Sequence, residues 1–166
     1  MAQGGRRLTT NRLASTDNTI VRLNQGDGRA VYFSRPAGSS GVFTELIGDL
    51  HEQIAQGSSG FTLTMKGGSS EQFDTSGKLL SLTDRNGNTT SLTYDVNGHL
   101  SSVSDPFGRV LTVTTNANGQ ATAISDSLGM VATYAYGGSN ELLSVTYADN
   151  GFQLRVRRQP PLDDGD

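Results

Sequence analysis

The sequence predicts an all-β protein in which antiparallel β-hairpin repeats form one curved, continuous sheet. Three observations lead to this fold class. A 21-residue unit recurs from residue 73 onwards, the 166 residues include 21 Gly against four Pro, and apolar and polar side chains alternate in the second half of each unit. Alternation is typical of a strand with one buried face, and glycine supplies the positive φ angles of tight turns. A recurring unit of this kind indicates a repeat architecture.

Four rows of 21 residues can be aligned from residue 73. They are FDTSGKLLSLTDRNGNTTSLT (73–93), YDVNGHLSSVSDPFGRVLTVT (94–114), TNANGQATAISDSLGMVATYA (115–135) and YGGSNELLSVTYADNGFQLRV (136–156). Because Gly and Asn recur at fixed places in the rows, each row is predicted to hold two turns and two strands. The predicted turn residues are Gly77, Gly87, Gly98, Gly108, Gly119 and Gly129. The predicted core residues are Leu79, Leu82, Leu92, Tyr94, Leu100, Val103, Val113, Ile124, Tyr134 and Val145.

The first strand of each row leaves two alternatives open. Its apolar residues, such as Leu79 and Leu82, are three positions apart, and strict alternation would place them on opposite faces. A β-bulge near the turn would instead return both to one face. In row four the second turn slips by one residue, to Asp149 and Gly151, and one inserted residue at a turn is tolerated.

Weaker hairpin patterns precede the rows. Residues 61–73 read as strand, Gly-Gly turn and strand, and residues 19–35 as a hairpin about Gly26-Asp27-Gly28. Between them, residues 45–60 place Leu46, Leu50 and Ile54 at helical spacing, but Gly48 interrupts the pattern, and we predict an extended segment. The predicted organisation is a disordered, Arg-rich N-terminus, lead-in hairpins, the four rows and a disordered tail. Their ranges are 1–17, 18–72, 73–156 and 157–166.

Charge and composition exclude several classes of function. Residues 1–35 carry six Arg and two Asp, whereas residues 36–154 carry four basic and eleven acidic groups, so the predicted folded part is unlike a nucleic-acid-binding domain. The absence of Cys excludes disulfides, thiolate metal sites and cysteine nucleophiles. The sequence has no long apolar run, so no membrane span is predicted, and its first residues lack the apolar region of a secretory signal.

Row two resembles the YD repeat of the Rhs (rearrangement hotspot) family. The matching residues are Tyr94-Asp95, Asn97-Gly98, Leu100, Val103, Asp105-Pro106 and Gly108-Arg109. The likeness covers about residues 18–156, with rows three and four degenerate at the Tyr-Asp pair. It implies a hollow β shell, which in this family encloses a C-terminal toxin delivered by bacterial secretion systems, or a carbohydrate-binding module as in wall-associated relatives. Four to six units cannot close a container of that kind, so the resemblance implies that the chain is a piece of a shell, a short relative or a gene remnant.

The resemblance also sets expectations for partners and location. We expect protein partners at open sheet edges or in the remainder of a shell, with cell-surface glycan as an alternative partner. The expected location is secreted or cell-surface associated by a non-classical route, with a cytoplasmic stage before export. Open edges offer unpaired backbone groups, so self-association is also expected.

No residue is predicted to act in catalysis, to hold a cofactor or to bind a metal, and the chain is predicted not to be an enzyme. Some relatives carry an aspartyl self-cleavage site with paired Asp-Pro-x-Gly-Leu motifs, but here Asp105 and Asp126 lie one repeat period apart and the second lacks proline. Turn roles suit them better. His51 has no identifiable partner, and His99 stands in a variable polar column, so a solvated surface position is predicted for His99.

Two further segments have a possible binding role and a simpler structural one. Residues 84–88, DRNGN, faintly resemble a calcium loop but lack the terminal glutamate, and a turn is the better interpretation. Tyr94, Asp95 and Tyr136 could contact a glycan if their side chains were exposed. Since the tyrosines share the parity of Leu92 and Val113, a core position is favoured.

Overall fold

The computed structural model describes residues 12–15, 19–25, 28–46, 51–148 and 153–155. Within these ranges the chain forms one open sheet of fifteen strands, each paired antiparallel with the next along the chain. The strands are β1 (Arg12–Ser15), β2 (Ile20–Asn24), β3 (Ala30–Ser34), β4 (Phe43–Glu45), β5 (Gln53–Gly57), β6 (Gly60–Thr64), β7 (Ser70–Phe73), β8 (Leu79–Thr83), β9 (Thr89–Tyr94), β10 (Leu100–Ser104), β11 (Val110–Thr115), β12 (Ala121–Asp126), β13 (Gly129–Tyr136), β14 (Leu142–Tyr147) and β15 (Gln153–Arg155). The predicted all-β, antiparallel fold class is confirmed. Among the described residues there is no helical segment that could serve as a membrane span.

The N-terminal prediction needs one correction. Residues 12–15 form β1 and pair with β2, although residues 1–17 were predicted to be disordered. RLAS is short and follows a charged stretch, so its sequence carries no alternation that would identify a strand. The predicted extended segment contains β5, while residues 47–50 lie outside the described part, as do residues 26–27, the row-four turn at 149–152, and residues 156–166.

A β-bulge in the first strand of each row decides between the two alternatives for that strand. Opposite β7, Leu79 pairs with Phe73 and Ser81 pairs with Gln72, which leaves Leu80 without a ladder partner. The same shift recurs in the next three rows, at the positions that follow Leu80 by one, two and three periods. These positions are Ser101, Thr122 and Leu143. The bulge restores one face for apolar residues spaced by three.

The two faces of the sheet differ in chemistry. We call core face the one that carries Val21, Phe33, Ile54 and Leu92, and outer face the opposite one. Fully buried core-face side chains cluster between β2 and β8. They are Val21, Leu23, Phe33, Phe43, Ile54, Leu63 and Phe73. The outer face carries mainly Ser, Thr and Ala in the four rows, which are residues that suit a solvated strand surface.

Burial of the core face decreases towards β15. Upstream, Phe33 and Ile54 are 0% exposed, whereas Leu111 on β11, Tyr147 on β14 and Leu154 on β15 are 42%, 40% and 50% exposed. Four phenylalanines, Phe33, Phe43, Phe61 and Phe73, are buried on this face upstream, whereas the residues buried on it downstream are smaller, as at Val113, Ala132 and Val145. The core is therefore dense at one end of the sheet, and its apolar face lies open at the other.

Candidate functional site: repeat turns and contacts between rows

The row turns share one hydrogen-bonded design. In the turn from Asp95 to His99, the Asp95 N–H donates to the His99 carbonyl (2.8 Å) and the Gly98 N–H donates to the Asp95 carbonyl (2.9 Å). Asp95 Oδ1 accepts the N–H groups of Asn97 (2.9 Å) and His99 (2.8 Å). Aspartate suits the first position because its side chain can reach backbone donors two and four residues ahead.

The same carboxylate clamp recurs at Asp74, Asp84 and Asp105, and Asn116 Oδ1 accepts the equivalent pair in row three. The backbone N–H of His99 is the strongest of the contacts that lower the pKa of Asp95. For Asp84, hydrogen bonds from the side chain and backbone of Asn88 lower the pKa of the carboxyl group. Each clamp therefore works best with an ionised carboxylate.

Five of the six predicted turn glycines lie in these turns at positive φ, from 73° at Gly119 to 85° at Gly87. The sixth, Gly129, has a φ of 133° and is the first residue of β13, where its N–H donates to Asp126 Oδ1. Asn140, which stands in the same column as Gly119, has a φ of 62°. A left-handed conformation is strained for residues with a Cβ atom, and Asn tolerates it better than most.

Row four replaces the clamp residue and compensates for the change. Gly137 stands where the other rows have Asp or Asn, so the turn has no side-chain oxygen at its first position. The Glu141 side chain folds back instead, and its Oε2 accepts the Ser139 N–H at 3.0 Å. A Cβ atom on Gly137 would lie 2.6 Å from the Glu141 carboxyl carbon, so glycine at 137 makes room for this substitute clamp.

Side chains also join each row to the next at this edge of the sheet. The sixth residue of a row lies over the fifth residue of the following row, a relation we call the inter-row contact. A Cβ atom on Gly98 would clash with Lys78 Nζ, and one on Gly119 would lie 2.7 Å from His99 Cδ2. Gln120 Nε2 donates to the Asn140 carbonyl at 2.9 Å.

The inter-row contact corrects the prediction for His99. Its ring lies against Gly119, and its Nδ1 is 3.4 Å from Asp95 Oδ2, with the His99 side chain 26% exposed. His99 is therefore a contact between two rows and not a solvated surface residue. The sequence signal that could have revealed it is the constant separation of 20 residues between the sixth column and the next small or αL-tolerant position.

The tyrosines of the Tyr-Asp position reach back by fifteen residues. Tyr94 Oη donates to the Leu79 carbonyl at 2.6 Å, and Tyr136 Oη donates to the Ala121 carbonyl at 2.8 Å. Both carbonyls belong to the residue before a bulge, where the ladder is interrupted. The hydroxyl groups thus bond each of these two bulges to the residue fifteen positions further along the chain.

Two of the three residues predicted for glycan contact are these tyrosines, and the third, Asp95, is the turn clamp. The Tyr94 ring packs against the buried core, with Lys78 Nζ at 5.3 Å from the ring centre. Each of the three therefore makes contacts within the sheet itself.

The predicted core residues lie on the core face, but not all are buried. Leu79, Leu92, Val113 and Val145 are buried. Five further residues are intermediate in exposure. These are Tyr94, Leu100, Val103, Ile124 and Tyr134. Leu82 departs from the prediction: it shares the core face with Glu71 and Thr90, yet it is 38% exposed because it lines an open groove of about 430 Å³ beside Met65 and Phe107.

The core face also carries carboxylates, which the sequence pattern alone did not reveal. Glu71 is only 4% exposed, although it pairs with Leu63 and Leu82 in the ladders. Burial, followed by repulsion from Glu45 and Glu71, raises the pKa of Glu52. The parity of Glu71, two residues before Phe73 on one strand, is the signal that could have placed it on this face.

The residues considered for catalysis or metal binding take turn positions. Asp105 Oδ1 accepts the N–H groups of Phe107 and Arg109, and Asp126 Oδ1 accepts the Leu128 N–H. His51 precedes β5 with a φ of 56°. Over the described ranges, no three His, Cys, Asp or Glu side chains are grouped in a way that could hold a metal ion.

Comparison with protein families gives one match. The model of the family described as RHS Repeat matches residues 73–115 and 116–151. The matches begin at the first residue of row one and one residue into row three, so each spans about two rows. No curated protein matches the chain.

Proposed function

This chain is an RHS-repeat protein, and on that premise we propose that it is a non-catalytic wall module that encloses or scaffolds a toxin or effector polypeptide. The RHS repeat is a structural repeat. In the proposed role this chain forms the wall, and any catalytic or toxic activity belongs to the enclosed partner. Export with that partner would place the module outside the producing cell or at a cell surface.

The observation that carries this proposal is the continuity of the sheet from row to row. Two kinds of contact repeat at the row period, ladder pairing and the inter-row contact, and a third, the tyrosine hydroxyl bond to a carbonyl fifteen residues upstream, occurs two periods apart at Tyr94 and Tyr136. Each contact joins neighbours only, as in other repeat proteins, so rows can be added without a new design. A sheet that is extended in this way forms a continuous barrier between the spaces on its two faces.

The open part of the core face is the surface proposed to meet the partner. Leu111, Tyr147 and Leu154 present apolar side chains there, whereas the outer face of β11 and β14 carries Thr112 and Thr146. Exposed apolar surface on one side of a sheet is typical of an interaction surface.

Site-specific photo-crosslinking tests the proposal with a matched control. A photoreactive phenylalanine analogue replaces Leu111 on the core face or Thr112 on the outer face, two exposed neighbours on β11. In cells that also produce the polypeptide encoded beside this chain, we expect crosslinks to it from position 111 only. Equal crosslinking from both positions, or none from position 111, would contradict a one-sided wall.

Carbohydrate binding is a second candidate, favoured by Tyr147. This ring is 40% exposed, pairs across the sheet with the small residue Ala132, and is of the aromatic type that stacks on sugars. A glycan array with the whole chain is the test, with Tyr147→Ala expected to lose any hit and Tyr32→Ala, an exposed tyrosine on the outer face, expected to keep it. An array without hits would dismiss this candidate.

A further inference from the structure

Within the described residues, three turns contain an asparagine followed by glycine at the same two positions, and a fourth pair, Asn150-Gly151, lies outside those residues. The three described pairs are Asn86-Gly87, Asn97-Gly98 and Asn118-Gly119, and the three asparagines are exposed. Asn-Gly is the dipeptide in which the side-chain amide is most open to attack by the next backbone nitrogen, since glycine has no side chain to obstruct the approach.

The chemistry is a deamidation that needs only water. The glycine nitrogen attacks the asparagine Cγ and forms a five-membered succinimide. The Cγ–Nδ2 bond breaks, and ammonia leaves with the proton from the glycine N–H. Water then opens the ring at either carbonyl to give aspartate or isoaspartate, and isoaspartate adds a methylene group to the main chain.

The folded turn withholds the attacking nitrogen. The N–H groups of Gly87, Gly98 and Gly119 donate to the backbone carbonyl three residues earlier, at 3.0, 2.9 and 2.9 Å. The asparagine N–H is held too, by the clamp oxygen of Asp84, Asp95 or Asn116. Attack on Cγ requires rotation about the bonds that these contacts fix.

We propose that the three asparagines are latent modification sites, each released by opening of its own turn. The rate of deamidation at each site then follows the open population of that turn, as amide exchange does. Because the modified turn has an extra main-chain atom, it cannot reclose both backbone hydrogen bonds, and the opening becomes permanent. Isoaspartate thus marks the turns that have opened.

The contacts also rank the sites. Asn118 Nδ2, the nitrogen that must leave, donates to Asn140 Oδ1 at 3.0 Å in the next row, which adds a constraint that spans two rows. Asn118 is therefore expected to react most slowly of the three in the folded chain. In the unfolded chain, where these contacts are lost, its rate should approach that of Asn86 and Asn97.

The test is peptide mass spectrometry on the whole chain incubated at mildly alkaline pH, folded or in urea. We expect each site to deamidate at least about tenfold faster in urea than in the folded chain, which corresponds to a turn that is open for roughly one tenth of the time or less. Asp95→Ala should accelerate Asn97 while leaving Asn86 unchanged, and Asp84→Ala should do the reverse. Asp95→Asn should preserve protection, because Asn116 makes the same clamp in row three.

Two outcomes would overturn the proposal. Folded and unfolded protein could deamidate at equal rates, which would show that the turn does not restrain the nitrogen. Alternatively, both single variants could accelerate Asn86 and Asn97 equally, which would show that opening involves the whole sheet and not one turn. A variant that fails to fold gives this second pattern, so it also counts against the proposal.

Discussion

Replacement of Gly119 by alanine should destabilise the sheet more than the same change at Gly108. Both residues have positive φ, 73° and 84°, so both variants carry the cost of alanine in a left-handed conformation, about 1 kcal/mol. At Gly108 the new Cβ atom meets nothing within 4 Å, whereas at Gly119 it would lie 2.7 Å from His99 Cδ2 and 2.8 Å from His99 Nε2. The imidazole must therefore move.

Displacement of His99 removes its packing on row three and its contact with Asp95. Because the His99 side chain is only 26% exposed, the lost packing adds about 1 kcal/mol, so Gly119→Ala should cost about 2 kcal/mol in total. With a urea dependence of about 2 kcal/mol per molar, the unfolding midpoint should fall by about 1 M, against about 0.5 M for Gly108→Ala.

A double-mutant cycle isolates the clash. In the His99→Ala background the obstructing ring is gone, so Gly119→Ala should cost only the backbone strain, about 1 kcal/mol. Urea unfolding followed by circular dichroism measures all four proteins. Equal midpoints for Gly119→Ala and Gly108→Ala, or a cost of Gly119→Ala that does not change without His99, would refute the inter-row contact.

Three further predictions concern the hydroxyl bond, the clamps and the buried carboxylates. Tyr136→Phe should lose about 1 kcal/mol of stability, because the Ala121 carbonyl loses its donor; an unchanged urea midpoint would contradict this. The pKa of the Asp84 carboxyl group is lowered on folding, so its stabilising effect is present above the ordinary value of 3.8 and is lost as pH falls below it. The urea midpoint, measured as a function of pH, should therefore decrease as pH falls below that value, and it should decrease less in Asp84→Asn. The pKa of Glu52 is raised from 4.5, so the ionised group is unfavourable in the folded state near pH 7. Glu52→Gln should therefore raise the urea midpoint at pH 7, and the difference between the two midpoints should decrease on acidification through the raised pKa.

The repeat period and the turn positions could be predicted because left-handed backbone geometry restricts the residue type at one place in each turn. Gly77, Gly98 and Asn140 therefore form a readable column. The bulge could not be decided from sequence, since Leu79 and Leu82 fit a bulge or two faces equally well until the ladder is known. A feature that depends only on residues within one row could therefore be predicted from sequence, whereas one that depends on pairing with neighbouring rows could not.

Contacts across rows were less predictable. The role of His99 depends on the position of Gly119 in the next hairpin, and a single row viewed alone shows only a polar residue after a turn. The exposure of Leu82 and the burial of Glu71, which pair with each other, depend on how the sheet covers its own face. In row four, Gly137 looks like a lost clamp, and only coordinates show that Glu141 replaces it from the opposite end of the turn.

The bulges also have a geometric consequence for longer arrays. Leu80, Ser101, Thr122 and Leu143 occupy the same end of alternate strands, at a constant interval of 21 residues. A bulge bends its strand and increases the local right-handed twist, so four equivalent bulges add deflections of the same sign. The radius of such an array is then encoded in a single unit, and in-frame duplication of that unit in the gene would lengthen the structure at constant diameter.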